Sequence, residues 1–74
     1  MAPNSTNQIE IVLNGEAREV PGGLTVAGLL AHLGIAEDRV AVEFEREILR
    51  RPRWSETQVR GGARVEIVHF VGGG

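Results

Sequence analysis

The sequence contains no cysteine and no lysine, and only three of its 74 residues are aromatic. The absence of cysteine excludes disulfides, zinc–thiolate sites and thiol catalysis. All eight basic residues are arginine, so no side-chain amine is available for Schiff-base chemistry or isopeptide attachment. A chain this short must rely on one small hydrophobic core for its stability.

The sequence also lacks an excess of positive charge and any long apolar run. Ten acidic residues against eight arginines give a net charge of −2, whereas nucleic-acid-binding domains usually carry a basic excess. The longest apolar runs, such as Ile11-Val12-Leu13, have three residues, far fewer than the ~20 of a membrane helix. The N-terminal residues do not have the pattern of a secretory signal. We therefore expect a cytoplasmic protein without nucleic-acid or membrane partners.

The first third of the chain predicts a β-hairpin followed by a helix. Residues 9–13 and 16–20 have strand-like patterns, and the Asn14-Gly15 pair between them suits a type I′ turn. Residues 26–33 carry apolar side chains at helical spacing on one face. Thr25 is the expected N-cap of this helix, and Gly34 is the expected C-terminal stop.

The second half predicts further strands around an irregular connection. Residues 40–44 alternate as a strand covered on one side, and a short extended piece follows at 47–49. Residues 50–57 contain a proline and no sustained periodicity, so we expect an irregular connection that Trp54 anchors to the core. Residues 64–70 predict the last strand.

The element order is hairpin, helix, strand, connection and strand, with one helix to cover several strands. A mixed β-sheet packed on a single main helix satisfies this order, which predicts an α+β protein of β-grasp architecture. We expect a flexible lead-in at residues 1–8, the β-grasp domain at 9–70, and a flexible glycine-rich tail at 71–74.

The inventory of reactive side chains does not support an enzyme acting alone. Glycine-rich nucleotide-binding motifs are absent, and two histidines, His32 and His69, make a weak case for a metal site. Glu43, Glu45 and Glu47 alternate along a strand and are interpreted as its solvent-exposed face instead of an acid–base cluster. We therefore expect no catalytic residue and no bound metal.

Two surface features have both a structural and a functional interpretation. One is an arginine-rich segment, which is either a solvated loop or a contact surface for an acidic partner; its residues are Arg46, Arg50, Arg51 and Arg53. The other is formed by Val68 and Phe70, which point outward with Val12 if Val65 and Ile67 point inward. They then form a docking patch, unless strand twist or a neighbouring strand buries them.

The chain ends in three glycines, Gly72, Gly73 and Gly74. Such a tail can be a flexible terminus without function. Here it directly follows the last strand, and three residues let the terminal carboxylate reach roughly 10 Å beyond the domain. Because glycine has no side chain, this tail is thin enough to enter a narrow pocket of another protein.

Together these residues resemble the sulfur carrier proteins of thiamine biosynthesis, the ThiS family. The resemblance covers about residues 9 to 74 and rests on these segments: Val40-Ala41-Val42-Glu43, Glu47-Ile48, Trp54, Thr57, Arg64-Val65-Glu66-Ile67-Val68 and Phe70-Val71-Gly72-Gly73-Gly74. Two turn positions depart from the family pattern. Glu45-Arg46 stands where an Asn-Gly-like turn is expected, and Ala63 stands in place of an aspartate.

The resemblance implies a ubiquitin-like β-grasp fold and a protein co-substrate, not an enzyme. The Gly74 carboxylate would be adenylated by a separate ubiquitin-activating-like enzyme and then converted to a thiocarboxylate by a persulfide donor of the cysteine desulfurase or rhodanese type. Thiazole synthase would receive the sulfur. Gly72 and Gly73 would keep the tail accessible, while ATP and Mg²⁺ would be used by the adenylating enzyme, so this chain would bind no cofactor.

The same features leave three alternatives open. The chain could carry sulfur for another pathway, such as molybdopterin, cysteine or thio-tRNA synthesis. It could instead be a ubiquitin-like modifier joined to lysines of target proteins. It could also be a non-covalent β-grasp binding module, for which the tail would be dispensable.

Overall fold

A computed structural model describes residues 7–71, in which five strands form one sheet against a single α-helix. The strands are β1 (Gln8–Leu13), β2 (Glu16–Pro21), β3 (Val40–Phe44), β4 (Glu47–Leu49) and β5 (Arg64–His69). The helix α1 spans Val26–Leu33, and the two short 3₁₀ helices are η1 (Glu37–Arg39) and η2 (Arg51–Glu56). The predicted strands and helix are confirmed, whereas η1 was not predicted.

The sheet has the strand order β2-β1-β5-β3-β4. The pair β1–β5 is parallel, and the other neighbouring strands are antiparallel. The first and last strands along the chain therefore meet at the centre of a mixed sheet. This arrangement, with one main helix against the sheet, confirms the predicted β-grasp architecture.

The core lies between α1 and one face of the sheet. Ile11, Val42 and Val65 project from three different strands toward Leu29 and Leu30 of the helix, and all five are essentially inaccessible to solvent. The opposite face of the sheet is the outer face. The alternation of the strands follows from this division, because successive side chains of a strand point to opposite faces.

Local signals set the limits of the hairpin and of the helix as predicted. Asn14 and Gly15 have φ values of +50° and +83°, which are those of a type I′ turn. The hydroxyl of Thr25 accepts a hydrogen bond from the Gly28 N–H at 3.1 Å and caps α1. Gly34 ends the helix in the left-handed conformation, with φ of +75°.

The indole of Trp54 anchors the irregular connection to the core, as predicted. Trp54 lies in η2 and is 3% exposed. Its Nε1–H donates a hydrogen bond to the carbonyl of Leu49, at the end of β4, at 2.8 Å. This bond and the burial of the ring hold the connection against the end of the sheet from which the chain later leaves.

Candidate functional site at the end of strand β5

The chain remains attached to the sheet for one residue beyond β5. The Phe70 N–H donates a hydrogen bond to the Arg39 carbonyl at 2.9 Å, which continues the β3–β5 ladder. Val71 follows with its side chain 93% exposed. The predicted carrier residue Gly74, together with Gly72 and Gly73, lies outside the described residues, so its role stays a prediction.

Exposed apolar side chains surround the point at which the chain leaves the sheet after Phe70, which we call the exit. Val68 and Phe70 are 57% and 59% exposed, which confirms that they point to the outer face as predicted. Ile48, which was not predicted as a surface residue of interest, is 77% exposed. Large exposed apolar side chains that lie together are typical of a protein-docking surface. The third residue of the predicted patch, Val12, is partly buried.

A groove of about 260 Å³ lies beside the exit, between the edge of the sheet and Phe70. We call it the exit groove. Its apolar lining consists of Val40, Ala41, Val42, Ile48, Leu49, Trp54 and Phe70. Charged residues complete the lining: Glu37, Asp38 and Arg51. The Nε of Arg51 lies 4.0 Å from Glu37 Oε1, and both side chains are about half exposed, so this pair contributes little to stability.

The structure separates the arginines that the sequence groups together. Arg51 lines the exit groove, whereas Arg46 lies in the turn between β3 and β4, at the other end of the sheet from Phe70. Six residue steps along the β3–β5 ladder, roughly 20 Å, separate these two ends. Arg53 faces Glu56 at 3.4 Å in an exposed pair, and Arg50 precedes η2 as an exposed residue.

A second groove, of about 330 Å³, lies at the end of the sheet opposite the exit. It is lined by Phe44, Glu45, Gln58, Arg60, Gly61, Gly62 and Ala63. The Glu45 carboxylate already accepts a hydrogen bond from the Arg64 N–H at 2.7 Å. This groove is remote from Phe70 and Val71, and its lining residues form no cluster of reactive groups, so the end of β5 remains the candidate site.

The two histidines lie on different elements and do not form a metal site with each other. His32 lies in the last turn of α1 and His69 at the end of β5, and both are exposed. Across residues 7–71, no three histidine, aspartate or glutamate side chains are close enough together to hold a metal ion. No helix of the described chain is long and apolar enough to cross a membrane.

Sequence reasoning missed Ile48 and Ala41 as parts of the exit surface. Ile48 lies opposite Glu43, and Ala41 opposite Val68, on the outer face. The alternation of residues 47–49 contained a signal, since it places Ile48 on the face opposite to Leu49. What the sequence could not show is that these positions lie next to the exit of the tail.

The model of the ThiS family matches residues 11–74 of the chain. The sulfur carrier protein ThiS of Bacillus subtilis is 40% identical over 50 residues, which are 68% of this chain and 76% of that protein. The crystal structure of the thiamine biosynthesis protein ThiS from Geobacter metallireducens has a TM-score of 0.76 at 36% identity and covers 89% of this chain and 100% of that chain.

A second kind of relative is much longer. A thiazole synthase of Paramagnetospirillum magneticum is 39% identical over 66 residues, which are 89% of this chain but 20% of that protein. A thiazole synthase of Magnetococcus marinus is 38% identical over the same length. The chain therefore spans about a fifth of the length of the thiazole synthases that it matches.

Proposed function

The chain belongs to the ThiS family, and we propose that it is the sulfur carrier for the thiazole moiety of thiamine. The observation that carries the proposal is the end of β5. The sheet holds the chain up to Phe70, and the residues after it are Val71 and the three glycines. Four residues beyond Phe70 reach at most about 14 Å, which is enough for Gly74 to enter a partner's active site while the domain stays outside.

The proposed chemistry takes place at the Gly74 carboxylate, on partner enzymes. A carboxylate oxygen attacks the α-phosphate of ATP, pyrophosphate leaves, and an acyl-adenylate forms. A persulfide then attacks the acyl carbon and AMP leaves, which gives an acyl disulfide. A thiol cleaves its S–S bond and is oxidised to a disulfide, and the carrier keeps a thiocarboxylate. The sulfur passes from there to thiazole synthase, so this chain acts as a co-substrate and not as a catalyst.

The matched thiazole synthases support the choice of acceptor. In them, a segment similar to 89% of this chain is part of one polypeptide with a thiazole synthase. Covalent linkage raises the effective concentration of one domain at another, which is useful when the two act on each other. We therefore propose thiazole synthase as the acceptor, with a ubiquitin-activating-like enzyme and a persulfide donor as the partners of the loading steps.

We propose that these partners dock on the surface of this chain that surrounds the exit. Val68 and Phe70 supply its apolar contacts, and Arg51 supplies a guanidinium that suits a partner carboxylate. Arg50 and Arg53 adjoin Arg51 along the chain and extend this surface. Arg46 belongs to it only if a partner covers the full length of the sheet.

Intact-mass measurement of the protein isolated from its own cells tests the proposal. We expect the mass to increase by the difference between one sulfur atom and one oxygen atom. Fragmentation is expected to locate this change on Gly74. With the adenylating enzyme and ATP, deletion of Gly74 or the change Gly73→Val is expected to abolish adenylation. The matched control is Gly61→Val, a glycine-to-valine change at the opposite end of the sheet from Phe70, at a site where an added Cβ meets no atom closer than 3.9 Å.

The outcomes separate the proposal from its alternatives. A thiocarboxylate that thiazole synthase does not consume would indicate a carrier for another pathway. Stable conjugates to lysines of other proteins would indicate a modifier. Full biological activity without Gly74 would contradict every role of the tail and leave a non-covalent binding module.

A further inference from the structure

The edge of the sheet beside the exit has a notch, because β4 is shorter than β3. The last residue of β4, Leu49, lies opposite Val42. Strand β3 has two more residues toward its N-terminal end, Ala41 and Val40, which pair with β5 but not with β4. The exit groove lies at this notch, with Val40, Ala41 and Ile48 in its lining.

The carbonyl of Val40 points into the notch. In an antiparallel pair, hydrogen-bonded residues alternate with residues whose backbone groups point away from the partner strand. The bonds from Glu45 N–H to the Arg64 carbonyl and from Phe70 N–H to the Arg39 carbonyl set this alternation. Val40 lies opposite His69, and this pair exchanges no backbone hydrogen bonds. The carbonyl of Val40 therefore points away from β5, toward the side of β3 that β4 leaves uncovered.

This carbonyl has no hydrogen-bond donor among residues 7–71. Its oxygen points away from β5, β4 does not reach it, and no loop, turn or side-chain donor among residues 7–71 bonds to it; Val40 as a whole is 4% exposed. Backbone acceptors of nearly buried residues are almost always partnered, by protein groups or by water. The groove therefore contains an acceptor that a binding partner can satisfy.

The groove combines this acceptor with apolar walls and negative charge. Ile48 and Phe70 provide exposed apolar surface at its sides. Glu37 and Asp38 contribute two carboxylates, of which Glu37 faces Arg51 at 4.0 Å. This combination is complementary to a side chain with an apolar stem and a cationic, hydrogen-bond-donating end, which is the chemistry of arginine and lysine.

We propose that the exit groove receives one basic side chain of thiazole synthase. Its methylene stem lies between Ile48 and Phe70, and its cationic end lies beside Asp38 and donates a hydrogen bond to the Val40 carbonyl. A volume of about 260 Å³ suits one side chain, since pockets for complete small-molecule ligands usually hold about 300 Å³ or more. The proposal rests on the proposed function, because it assigns a contact to the acceptor enzyme, and it is continuous with the exit of the tail.

The first test measures binding of the full chain to thiazole synthase by calorimetry at low and high salt. We expect Asp38→Asn to weaken binding about fivefold or more and to reduce the salt dependence, because one charge pair is lost. Ile48→Ser is expected to weaken binding by a similar factor, without the change in salt dependence. Glu19→Gln, which removes one exposed charge from β2 at the far edge of the sheet, is the matched control and should change affinity less than about twofold.

The second test observes the carbonyl directly. With the chain labelled in ¹³C, the carbonyl resonance of Val40 is expected to move on saturation with thiazole synthase in the direction of a gained hydrogen bond. The resonance of Leu29, buried in the helix away from the groove, serves as the internal reference. A Val40 resonance that stays in place, or unchanged binding of Asp38→Asn, would overturn the proposal.

These results are separable from a failure of the proposed function. If the protein gains sulfur on Gly74 and thiazole synthase consumes it, but the groove variants bind normally, the carrier function stands and the groove contact is wrong. If the groove variants weaken only the binding to the adenylating enzyme, the assignment of this contact to thiazole synthase is wrong. If no thiocarboxylate forms at all, the carrier function fails, whatever the groove binds.

Discussion

The side-chain amide of Asn14 is hydrogen-bonded to both backbone groups of Ile67, 53 residues further along the chain. Its Oδ1 accepts from the Ile67 N–H at 2.8 Å, and its Nδ2 donates to the Ile67 carbonyl at 3.4 Å. The backbone N–H of Asn14 donates to the Val65 carbonyl at 2.9 Å. The amide therefore continues the parallel β1–β5 ladder after the backbone of β1 has turned into the hairpin.

Replacement of Asn14 by glycine separates the two roles of this residue. Glycine adopts the positive φ of the turn as readily as asparagine, so the loss of stability beyond the entropy cost of glycine, about 0.5–1 kcal/mol, reports the two bonds to Ile67. We expect a decrease of about 1–3 kcal/mol in the free energy of unfolding, since the buried Ile67 N–H loses its acceptor. Urea unfolding measures it, and Ile67 amide exchange should accelerate. Unchanged stability would show that the amide bonds contribute nothing.

The turn between β3 and β4 holds two non-glycine residues in the left-handed region. Glu45 and Arg46 have φ values of +55° and +72°, as a type I′ turn requires. The departure from the Asn-Gly pattern therefore leaves the turn type intact, at a cost of about 1–2 kcal/mol per residue. The Glu45 carboxylate offsets part of this cost through its bond to the Arg64 N–H.

Arg46→Gly is expected to raise the free energy of unfolding by up to about 1 kcal/mol, because relief of the left-handed strain exceeds the entropy cost of glycine. The matched control is Arg50→Gly, at an exposed position with φ of −72°, where only the entropy cost remains and stability should fall. Thermal unfolding of both variants checks the difference. Equal destabilisation by both changes would contradict the strain at Arg46.

Two glycines should respond oppositely to alanine. A Cβ on Gly22 would lie 2.8 Å from the backbone oxygen of Asn7, whereas a Cβ on Gly28 would meet its nearest atom, of the flexible Leu24 side chain, at 3.4 Å. Gly22→Ala should destabilise by about 1–3 kcal/mol through this clash. Gly28→Ala should stabilise by about 0.5–1 kcal/mol, since alanine is the better helix former. Chemical unfolding of the two variants in parallel measures the difference in sign.

The indole N–H of Trp54 is expected to contribute separately from the burial of its ring. Trp54→Phe keeps an aromatic ring in the core but removes the donor to the Leu49 carbonyl, which should cost about 1–3 kcal/mol. Trp54→Ala should cost about 3–5 kcal/mol, because it also leaves a cavity. Circular dichroism measures the unfolding of both variants, because this signal does not depend on the fluorescence of Trp54. Equal costs of the two changes would mean that the hydrogen bond carries the whole effect.

The proposed docking surface predicts different effects for residues at the two ends of the sheet. Phe70→Ala should weaken binding to thiazole synthase about fivefold or more, as for a central aromatic contact, and Arg51→Ala should weaken it measurably. Arg46→Ala should have little effect, since Arg46 lies roughly 20 Å from Phe70 along the ladder. Surface plasmon resonance with the immobilised enzyme compares all three. An Arg46→Ala effect as large as that of Phe70→Ala would mean that the partner covers the whole sheet.

The sequence by itself determined the elements whose signals are local. The alternation of residues 9–13 and 64–70, the Asn14-Gly15 turn and the Thr25 cap each depend on neighbours within a few positions. Backbone sterics and side-chain periodicity act over the same short range. The element order then left one helix to cover several strands, and this was sufficient to predict the β-grasp architecture.

Only the tertiary structure decided which distant residues meet. It paired the amide of Asn14 with Ile67, ended β4 two residues before the end of β3, and moved Arg46 away from Arg51 to the opposite end of the sheet. These relationships depend on strand order and register, which are set by the packing of the whole core and not by any local pattern. The exit groove arises from that register, so the sequence predicted the tail and the exposed Phe70 but not the surface beside them.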